Sequence, residues 1–566
     1  MHKLITPLLF LAIGTAALTS CSSDNDSPVI APLTTVQPEA EPNDDTLTAA
    51  ALTLGRPVAG DVTTIGDADF WTVALAADET LQIEIFGTRF DHTTWDTNAN
   101  TPKVTIYGTD GTTAWLVQDT INSPGLDWGE IDSDIPRFVA PADGTYYIAV
   151  ERSDTTVAGG MYAMIASLVT LPSAIQHEVE ATAVSGINDT AATAEVVTPG
   201  TIAGFHVDGE EDWYKFTVTV PSEVSYVMWG HRNGVWNSDD DSYDPEVEIV
   251  DTDGTTVLSN VDDFYFYDSS FKRVITTPGD YYINVFECCG SGDAAYQLDL
   301  VVTPWTTRAE VEPNDDTATG DPLVFDECVA AQIATAETDV YTFSGVAGDK
   351  IRLQFFDNRS LEGATANVSF DLRDSTDTSI GYAFSSGSTT LQAILSATGT
   401  YNFIVSTGSV TAVDYALCLR RLRQATFETE PNDDIATAIA LDANGRAAGL
   451  MDSGTDVDAY SFTATMDHLV TISCYASESS MNAGGFYNET GNGSSVTPVL
   501  TIKDATDTTI ASSRADWANC SAEGIVDGKV TMAVSFVAPA DGTYYVEISD
   551  TLGISDPTSF YVIERR

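Results

Sequence analysis

A seven-residue unit, Glu-x-Glu-Pro-Asn-Asp-Asp, occurs three times in this chain of 566 residues, at 39–45, 310–316 and 428–434. Further along each copy an acidic pair precedes an aromatic strand, as in the segment 67–71 (Asp-Ala-Asp-Phe-Trp). A strand-turn-strand unit and a closing strand of the Gly-Thr-Tyr type then follow. A degenerate fourth copy, without the proline, lies at 188–214. Landmarks that recur in the same order predict four tandem copies of one module.

The repeats divide the chain into a leader and four modules. We place each boundary between the closing strand of one copy and the leading unit of the next. The connectors are short and contain Pro, Thr or Arg, which predicts a semi-rigid row of modules. The predicted segments are a signal peptide at 1–20, a tether at 21–36, and modules at 37–172, 173–305, 306–424 and 425–566.

The periodicity within the modules is that of β-strands. Leu81, Ile83 and Ile85 alternate with polar residues along one segment, and Val247 and Ile249 do so along another. Such alternation places one face of a strand in a core. Apolar runs are short, turn residues recur, and no helical period is sustained after the N-terminus. The predicted fold class is all-β, with each module an antiparallel β-sandwich that buries its own core.

The N-terminal residues have the features of an export signal. Lys3 supplies a positive charge, residues 8–17 are apolar, and a Leu-Thr-Ser-Cys sequence ends at Cys21. An apolar core this short is typical of a signal peptide rather than of a membrane span. The Leu-Thr-Ser-Cys sequence resembles the bacterial lipoprotein box, which implies cleavage before Cys21 and its lipidation; an ordinary signal peptide with an incidental cysteine is the alternative. Ser22 fits an outer-membrane lipoprotein, periplasmic or surface-exposed, and the polar stretch after it predicts a disordered tether.

Six further cysteines are distributed as two in each of the three later modules. An even count in an exported chain predicts disulfides within modules, and we pair Cys328 with Cys418 and Cys474 with Cys520. For the adjacent cysteines at 288–289, a vicinal disulfide and free thiols both stay open. The alternative for each pair is that the cysteines are simply small buried residues.

The chain is strongly acidic, with 24 Lys and Arg against 84 Asp and Glu and a formal net charge of -60. A surface without basic patches repels nucleic acid and anionic lipid. Nucleic-acid binding is therefore excluded, and membrane contact is predicted through the Cys21 lipid anchor only. Most carboxylates are scattered singly and solvate the surface, whereas the repeated clusters point to divalent cations.

No catalytic motif is recognisable in the sequence. The chain has no His-Glu-x-x-His, no Gly-x-Ser-x-Gly and no Walker loop, and its six histidines share no repeated position. Because four sandwiches account for the mature length, no room is left for a peptidase domain. We therefore expect no enzyme, and a hydrolase with no recognisable motif is kept as a remote alternative.

The leading unit, the later acidic pair and the Gly-Thr-Tyr-Tyr strand together resemble the bacterial pre-peptidase C-terminal domain, a family that includes the collagen-binding domains of clostridial collagenases. The resemblance covers residues 37–566 and implies jelly-roll-like β-sandwiches. In the collagen-binding branch, an N-terminal acidic segment and a later acidic pair hold calcium. The resemblance therefore implies structural Ca²⁺ sites with these ligands: Glu39, Glu41, Asn43, Asp44, Asp67 and Asp69 in module 1; Glu310, Glu312, Asn314, Asp315, Glu337 and Asp339 in module 3; and Glu428, Glu430, Asn432, Asp433, Asp456 and Asp458 in module 4.

The chemistry of Ca²⁺ is consistent with a site split between two segments. Ca²⁺ takes about six to eight oxygen ligands, more than one short peptide usually supplies. The alternative is that the leading unit is an Asx-turn that merely starts each domain. Module 2 departs from the pattern, because it lacks the proline and an extra stretch separates Glu178 and Glu180 from Asn188. Whether module 2 binds calcium stays open.

Module 2 also carries an insertion rich in aromatic residues. We take Trp229, Trp236 and Tyr243 as candidate ligand-binding residues, with Trp95 and Trp115 in module 1 as weaker candidates. Exposed aromatic rings stack on sugars or grip peptides. Such residues also close the end of a sandwich core, which is the alternative.

The expected function follows from these features together. We expect a non-catalytic, calcium-stabilised cell-envelope lipoprotein that binds an extracellular polymer, protein or polysaccharide, or an envelope protein. The alternative is a purely structural surface spacer or an accessory subunit of a secreted peptidase system. The sequence does not specify the ligand or the oligomeric state.

Overall fold

The computed structural model contains β-strands as its only regular elements in the part of the chain that it describes, and this confirms the predicted all-β fold class. No described helix is long and apolar enough to cross a membrane. The predicted signal peptide, Cys21 and most of the predicted tether lie outside the described residues. Those residues are 35–87, 102–118, 135–152, 159–171, 174–179, 187–207, 209–230, 245–261, 270–275, 277–287, 294–304, 307–334, 337–357, 368–385, 389–407, 413–451, 453–475, 498–513, 532–550 and 560–566.

The first twenty strands form modules 1 and 2. Module 1 consists of Gln37–Pro38 (β1), Ala50–Ala51 (β2), Val58–Asp61 (β3), Ala68–Leu75 (β4), Thr80–Phe86 (β5), Pro102–Tyr107 (β6), Ala114–Gln118 (β7), Ile135–Val139 (β8), Gly144–Arg152 (β9) and Met161–Leu168 (β10). Module 2 consists of Gln176–His177 (β11), Glu195–Val196 (β12), Gly200–His206 (β13), Glu211–Val218 (β14), Ser222–Trp229 (β15), Pro245–Val250 (β16), Val257–Val261 (β17), Ser270–Ile275 (β18), Gly279–Glu287 (β19) and Ala294–Pro304 (β20).

The remaining strands form modules 3 and 4 in the same sequence. Module 3 consists of Thr307–Ala309 (β21), Asp321–Pro322 (β22), Glu327–Ile333 (β23), Thr338–Gly345 (β24), Asp349–Asp357 (β25), Val368–Arg373 (β26), Ser379–Ser385 (β27), Thr389–Ile394 (β28), Gly399–Thr407 (β29) and Val413–Gln424 (β30). Module 4 consists of Thr426–Phe427 (β31), Ile439–Ala440 (β32), Arg446–Leu450 (β33), Val457–Ala464 (β34), Leu469–Tyr475 (β35), Pro498–Lys503 (β36), Thr509–Ser512 (β37), Met532–Val537 (β38), Gly542–Asp550 (β39) and Phe560–Arg565 (β40).

Each module is a sandwich of two five-stranded sheets with one shared topology. In module 1 the first sheet has the order β1-β3-β10-β5-β8 and the second sheet has the order β2-β4-β9-β6-β7. The other modules repeat these orders strand for strand. The chain passes back and forth between the two sheets except at the β6-β7 hairpin, which gives the jelly-roll-like arrangement. Only the short first strand of each sheet pairs in parallel, as β1 does with β3 and β2 with β4.

The core of each module lies between its two sheets. Along β4 the buried side chains of Trp71, Val73 and Leu75 alternate with outward-facing ones, as the period of a strand requires. Four large clusters of buried apolar residues result, and each is confined to one module. A fully buried aliphatic or aromatic side chain contributes about 1.5–3 kcal/mol. Each module therefore has a core of its own.

The modules do not form the open row that their short connectors predict, because module 4 packs against module 1. A buried apolar cluster joins Phe86 and Ile165 of module 1, and Val36 just before β1, to Leu469 of module 4. The backbone N–H of Val36 also donates to the carbonyl of Asp467 at 2.9 Å. The chain therefore closes on itself, with its first and last modules in contact.

The junction of modules 1 and 2 holds a buried ion pair that overturns one predicted site residue. Arg137 of β8 donates to Asp299 of β20 at 2.5 Å, and both side chains are almost completely buried. The guanidinium lies 4.1 Å above the ring of Trp229, which is itself buried. The prediction that Trp229 binds an external ligand is therefore wrong, since Arg137 covers its ring. Trp236 and Tyr243 lie outside the described residues.

A disulfide joins Cys328 and Cys418, as predicted from the sequence. The two residues are direct partners in the antiparallel pair of β23 and β30. Because the bond closes a loop of 90 residues, it restricts the unfolded chain. We expect the double substitution Cys328→Ser and Cys418→Ser to lower the free energy of unfolding of module 3 by about 2–4 kcal/mol. Urea denaturation measures this loss, and a doubly substituted chain as stable as the unsubstituted chain without reductant would contradict the assignment.

Cys474, in contrast, is a free thiol that is completely buried. It lies on β35 and packs inside the core of module 4, and this burial raises the pKa of its thiol. The prediction that Cys474 pairs with Cys520 is therefore wrong in this structure, because the side chain belongs to the core instead. Cys520 itself, and the cysteines at 288–289, lie outside the described residues.

Candidate metal centres

The leading segment of every module is fastened to its sandwich by the same two backbone hydrogen bonds. In module 1, Glu39 N–H donates to the carbonyl of Ala59 at 2.9 Å, and Phe70 N–H donates to the carbonyl of Asn43 at 2.8 Å. Equivalent bonds hold modules 2, 3 and 4. These bonds bring the glutamates of the repeated unit to the start of β4, where the acidic pair lies. The Glu-Pro bonds of the three intact units are all cis.

In module 1 the two acidic segments meet. Glu39, Glu41 and Asp69 each offer a carboxylate oxygen, and these atoms all lie within 4.8 Å of one another. Asn43 is completely buried beside them. Its side-chain amide lies 3.0 Å from Glu41 Oε2 and 3.2 Å from Asp69 Oδ1, and with its nitrogen on that side it donates to both oxygens. We call such a group of two glutamates and one aspartate an acidic cluster.

Modules 3 and 4 repeat this geometry. The acidic cluster of module 3 is Glu310, Glu312 and Asp339, and that of module 4 is Glu428, Glu430 and Asp458. Asn314 and Asn432 are completely buried, as Asn43 is in module 1. In module 3 Glu312 also converges with Asp315 and Glu337, so that two groups of acidic side chains share Glu312 there.

In modules 1 and 4, two of the five predicted acidic ligands lie outside the acidic cluster. The side chains of Asp44 and Asp67 interact with each other, and burial followed by the charge of Asp69 raises the pKa of Asp67 to about 6. Neither residue belongs to the acidic cluster. Among the described residues of module 4, Asp433 and Asp456 also lie outside any convergent group, although the charge of Asp456 acts on Asp458.

Burial and mutual repulsion keep protons on these carboxyl groups. Burial, followed by a side-chain hydrogen bond with Asp69, raises the pKa of Glu39 to about 9. Burial and the charge of Glu428 raise the pKa of Asp458 to about 9, and burial raises that of Asp339 to about 7. Carboxylates packed this closely ionise together only when a cation compensates their charge. This donor set of carboxylate and amide oxygens is the kind that Ca²⁺ prefers.

Without a cation, stability is expected to fall as the pH rises. The folded pKa values of about 9 for Glu39 and Asp458 exceed their ordinary values of 4.5 and 3.8. A raised folded pKa gives stability that is complete below the unfolded pKa and is lost as the pH rises through the folded one. Thermal unfolding in chelator at about pH 5 and about pH 8 measures this, with a lower Tm expected at about pH 8. The same comparison in calcium should show a weaker trend. An equal trend in calcium would contradict calcium binding at these groups, and a Tm in chelator that does not fall would contradict the raised pKa values.

The last aspartate of the unit is a turn residue and not a candidate ligand. Asp45 Oδ1 accepts hydrogen bonds from the backbone N–H groups of Leu47 and Thr48. These bonds and the Thr48 hydroxyl lower the pKa of Asp45. Asp316 and Asp434 make the same turn. The Asx-turn alternative is therefore correct for this one residue of the unit, while its glutamates and asparagine converge on the acidic cluster.

Sequence reasoning missed the tyrosines that support the aspartate of each cluster. In module 4, Tyr561 donates to Asp458 Oδ2 at 2.6 Å, and Tyr460 and Tyr561 share a hydrogen bond of 2.7 Å. Modules 2 and 3 contain the same tyrosine pair, and in module 1 Trp71 Nε1 donates to Tyr162. A signal existed, because a tyrosine recurs near the start of the last strand of every module: Tyr162, Tyr296, Tyr415 and Tyr561.

Module 2 preserves the scaffold and the contacts of its first glutamate, which match those of Glu428 in module 4. Asn188 Nδ2 donates to Glu178 Oε1 at 2.9 Å, so that its amide nitrogen faces the carboxylate. Phe205 N–H donates to the other oxygen of Glu178. Burial and the charge of Glu178 raise the pKa of Asp212 to about 9. The described residues of module 2 contain no convergent group of three acidic side chains, and Glu180 lies outside them.

Comparisons with known proteins add little. No protein-family model and no curated protein matches the chain. Among solved structures, the pre-peptidase C-terminal domain of collagenase from Bacillus anthracis is 17% identical, over 19% of this chain and 94% of that one, with a TM-score of 0.16. Tripeptidyl peptidase 2 is 7% identical, over 63% of this chain and 33% of that one, with a TM-score of 0.16. The CUB1-EGF-CUB2 domains of rat MASP-1 are 11% identical, over 40% and 100%, with a TM-score of 0.13. These TM-scores do not establish a shared fold.

Proposed function

We propose that the chain is a non-catalytic, calcium-stabilised lipoprotein of the bacterial cell envelope whose modules bind an extracellular polymer or an envelope protein. One observation carries the calcium proposal: in modules 1, 3 and 4, two glutamates and an aspartate converge beside a buried asparagine. Three separate stretches of sequence produce the same arrangement. Calcium would supply the positive charge that lets these carboxylates ionise together.

The metal would act on the joints between modules rather than in a reaction. In module 4, Glu428 of the acidic cluster directly follows Phe427, which packs in a cluster with Ile394 of module 3. In module 1, Glu39 lies three residues after Val36, which packs against module 4. A cation that holds these glutamates would therefore also hold the strands that contact the neighbouring modules.

We also propose that the modules belong to the pre-peptidase C-terminal domain family. The support is the repeated sequence unit, the later acidic pair and the closing Gly-Thr-Tyr strand, which stand together in this chain. The proposal of an envelope lipoprotein rests on the Leu-Thr-Ser-Cys sequence that ends at Cys21. The polar residues between Cys21 and the first strand would link the lipid anchor to module 1.

Binding of a polymer is favoured over the spacer alternative by the contact between modules 1 and 4. Leu469 and Val537 of module 4 pack with Phe86 and Ile165 of module 1. A chain whose first and last modules touch reaches a shorter distance from the membrane than an extended row does. This arrangement suits a compact binding protein better than a spacer.

An array of extracellular polymers and envelope proteins tests the binding proposal. The mature chain without its lipid is applied to immobilised polysaccharides, collagen and gelatin, in calcium and in chelator. We expect binding to at least one of these in calcium. If the chain binds nothing while its calcium-dependent stability is intact, the spacer alternative is supported and the binding proposal is wrong.

A further inference from the structure

The outward face of the second sheet of module 1 carries a row of aromatic side chains. Phe70 lies on β4, Tyr147 on β9, Tyr107 on β6 and Trp115 on β7, and these four strands are neighbours in that order. Phe70, Tyr147 and Tyr107 alternate with the core residues Trp71, Ile148 and Ile106, so their rings face outward; Trp115 precedes the core residue Leu116 and is itself exposed. Tyr147 lies directly opposite Tyr107, whereas Phe70 lies opposite Ala149. We call these four residues the aromatic row.

The rings of the aromatic row differ in how much of their surface is covered by neighbouring groups. The rings of Phe70 and Tyr107 stack with their centroids 5.8 Å apart and their planes 23° from parallel. The indole of Trp115 lies against Gly108, where a Cβ atom would come within 2.3 Å of its Nε1. Trp115 is nevertheless 52% exposed. Only a glycine at 108 lets the indole of Trp115 lie this close to the backbone. The part of the indole that does not contact Gly108 is open to solvent.

The corresponding residues of the other modules show that the fold does not require this row. Strand register places Leu258, Ile380 and Ile510 at the position of Trp115. Those three side chains pack against the edges of their cores, so an aliphatic residue satisfies the fold there. No other module has aromatic residues at all four positions. The four positions hold Trp213, Tyr282, Val250 and Leu258 in module 2. They hold Val340, Asn402, Arg373 and Ile380 in module 3, and Ala459, Tyr545, Lys503 and Ile510 in module 4.

The polar groups near the row suit a neutral ligand. The charged side chains beside it, Lys103 and Glu151, pair with each other at 2.9 Å. The formal net charge of -60 repels acidic polymers from the whole surface. A ligand with hydroxyl groups and no charge fits these conditions.

We propose that the aromatic row is a binding subsite for a neutral polysaccharide, a proposal that rests on the proposed polymer-binding function and names its substrate class. Aromatic rings stack on the apolar faces of sugar rings, and an exposed indole beside other outward-facing rings suits such a ligand. A stable protein partner would need about 800 Å² of surface on this side, and one exposed ring with three partly buried ones does not supply it. Trp115 is the anchor of the subsite, because its ring is the most exposed.

The test uses soluble neutral hexose polymers, namely an α-glucan, a β-glucan and a galactomannan, in affinity electrophoresis with the mature chain in calcium. Trp115→Ile introduces the residue that modules 3 and 4 carry there, so folding should be retained. We expect it to weaken polysaccharide binding at least tenfold without changing the Tm. Tyr382→Ser is the matched control, because Tyr382 is an exposed aromatic residue on the same sheet of module 3, and it should leave binding unchanged.

The possible outcomes separate this proposal from the broader function. Equal binding by the Trp115→Ile chain and the unsubstituted chain would overturn the subsite. Binding to collagen or gelatin but to no polysaccharide would overturn the substrate class and leave polymer binding in place. Binding to none of these polymers would overturn both proposals.

Discussion

Chelation of calcium is expected to destabilise modules 1, 3 and 4 and to leave module 2 almost unchanged. A ligand present at a hundred times its dissociation constant stabilises the folded state by about 2.7 kcal/mol per site, or about 8 kcal/mol over three sites. Within each site, the loss follows from the repulsion among carboxylates such as Glu428, Glu430 and Asp458 once their cation is removed. Differential scanning calorimetry in calcium and in chelator measures the shift for each transition.

Two sets of variants make this result specific. Glu41→Gln, Glu312→Gln and Glu430→Gln each remove one charge from an acidic cluster, and we expect each to abolish the calcium response of its own module. Asp45→Asn is the matched control in module 1, because it changes an acidic residue of the same unit that only closes a turn and asparagine makes the same turn. An equal loss of the calcium response in Asp45→Asn would show that the effect is not confined to the cluster.

Substitution of Arg137 by alanine is expected to cost about 3–5 kcal/mol at the junction of modules 1 and 2, since it leaves the carboxylate of Asp299 buried without its cation. The remaining partners of Asp299 are the Thr201 hydroxyl at 2.6 Å and Trp229 Nε1 at 3.3 Å. These neutral groups do not compensate its charge. Urea denaturation measures the loss, and small-angle scattering shows whether the two modules separate.

A double substitution and an exposed ion pair serve as controls for the junction. Arg137→Met combined with Asp299→Leu removes both charges, and most of the lost stability should return. Lys103→Ala breaks a partly exposed pair with Glu151 and should cost less than about 1 kcal/mol. A loss for Arg137→Ala no larger than that for Lys103→Ala would contradict the assignment of a buried, structurally important pair.

The fold was predictable because its signals are local. Alternation along segments such as 81–85 identifies strands, and the repeated unit gives the number of modules. The meeting of Glu39 with Asp69 was predictable from the recurrence of both acidic segments, not from either one alone. The tyrosine beside each aspartate was missed because a tyrosine in a strand is usually read as core.

The errors concern residues whose environment comes from distant parts of the chain. Trp229 faces outward from its own module, as an exposed ligand-binding residue would, but Arg137 of another module covers it. Cys474 is one of two cysteines in its module, as a disulfide partner would be, but the alternation of β35 places it in the core. Periodicity shows which face a side chain occupies, and it does not show what packs against that face.

The number of Ca²⁺ ions bound per chain tests the account most directly. Isothermal titration calorimetry of the mature chain, freed of metal beforehand, gives this number without reference to stability or to any polymer ligand. The acidic clusters of modules 1, 3 and 4 predict three ions per chain and two for the Glu430→Gln chain. A stoichiometry of zero, or an unchanged one in Glu430→Gln, would contradict the assignment of these clusters as calcium sites.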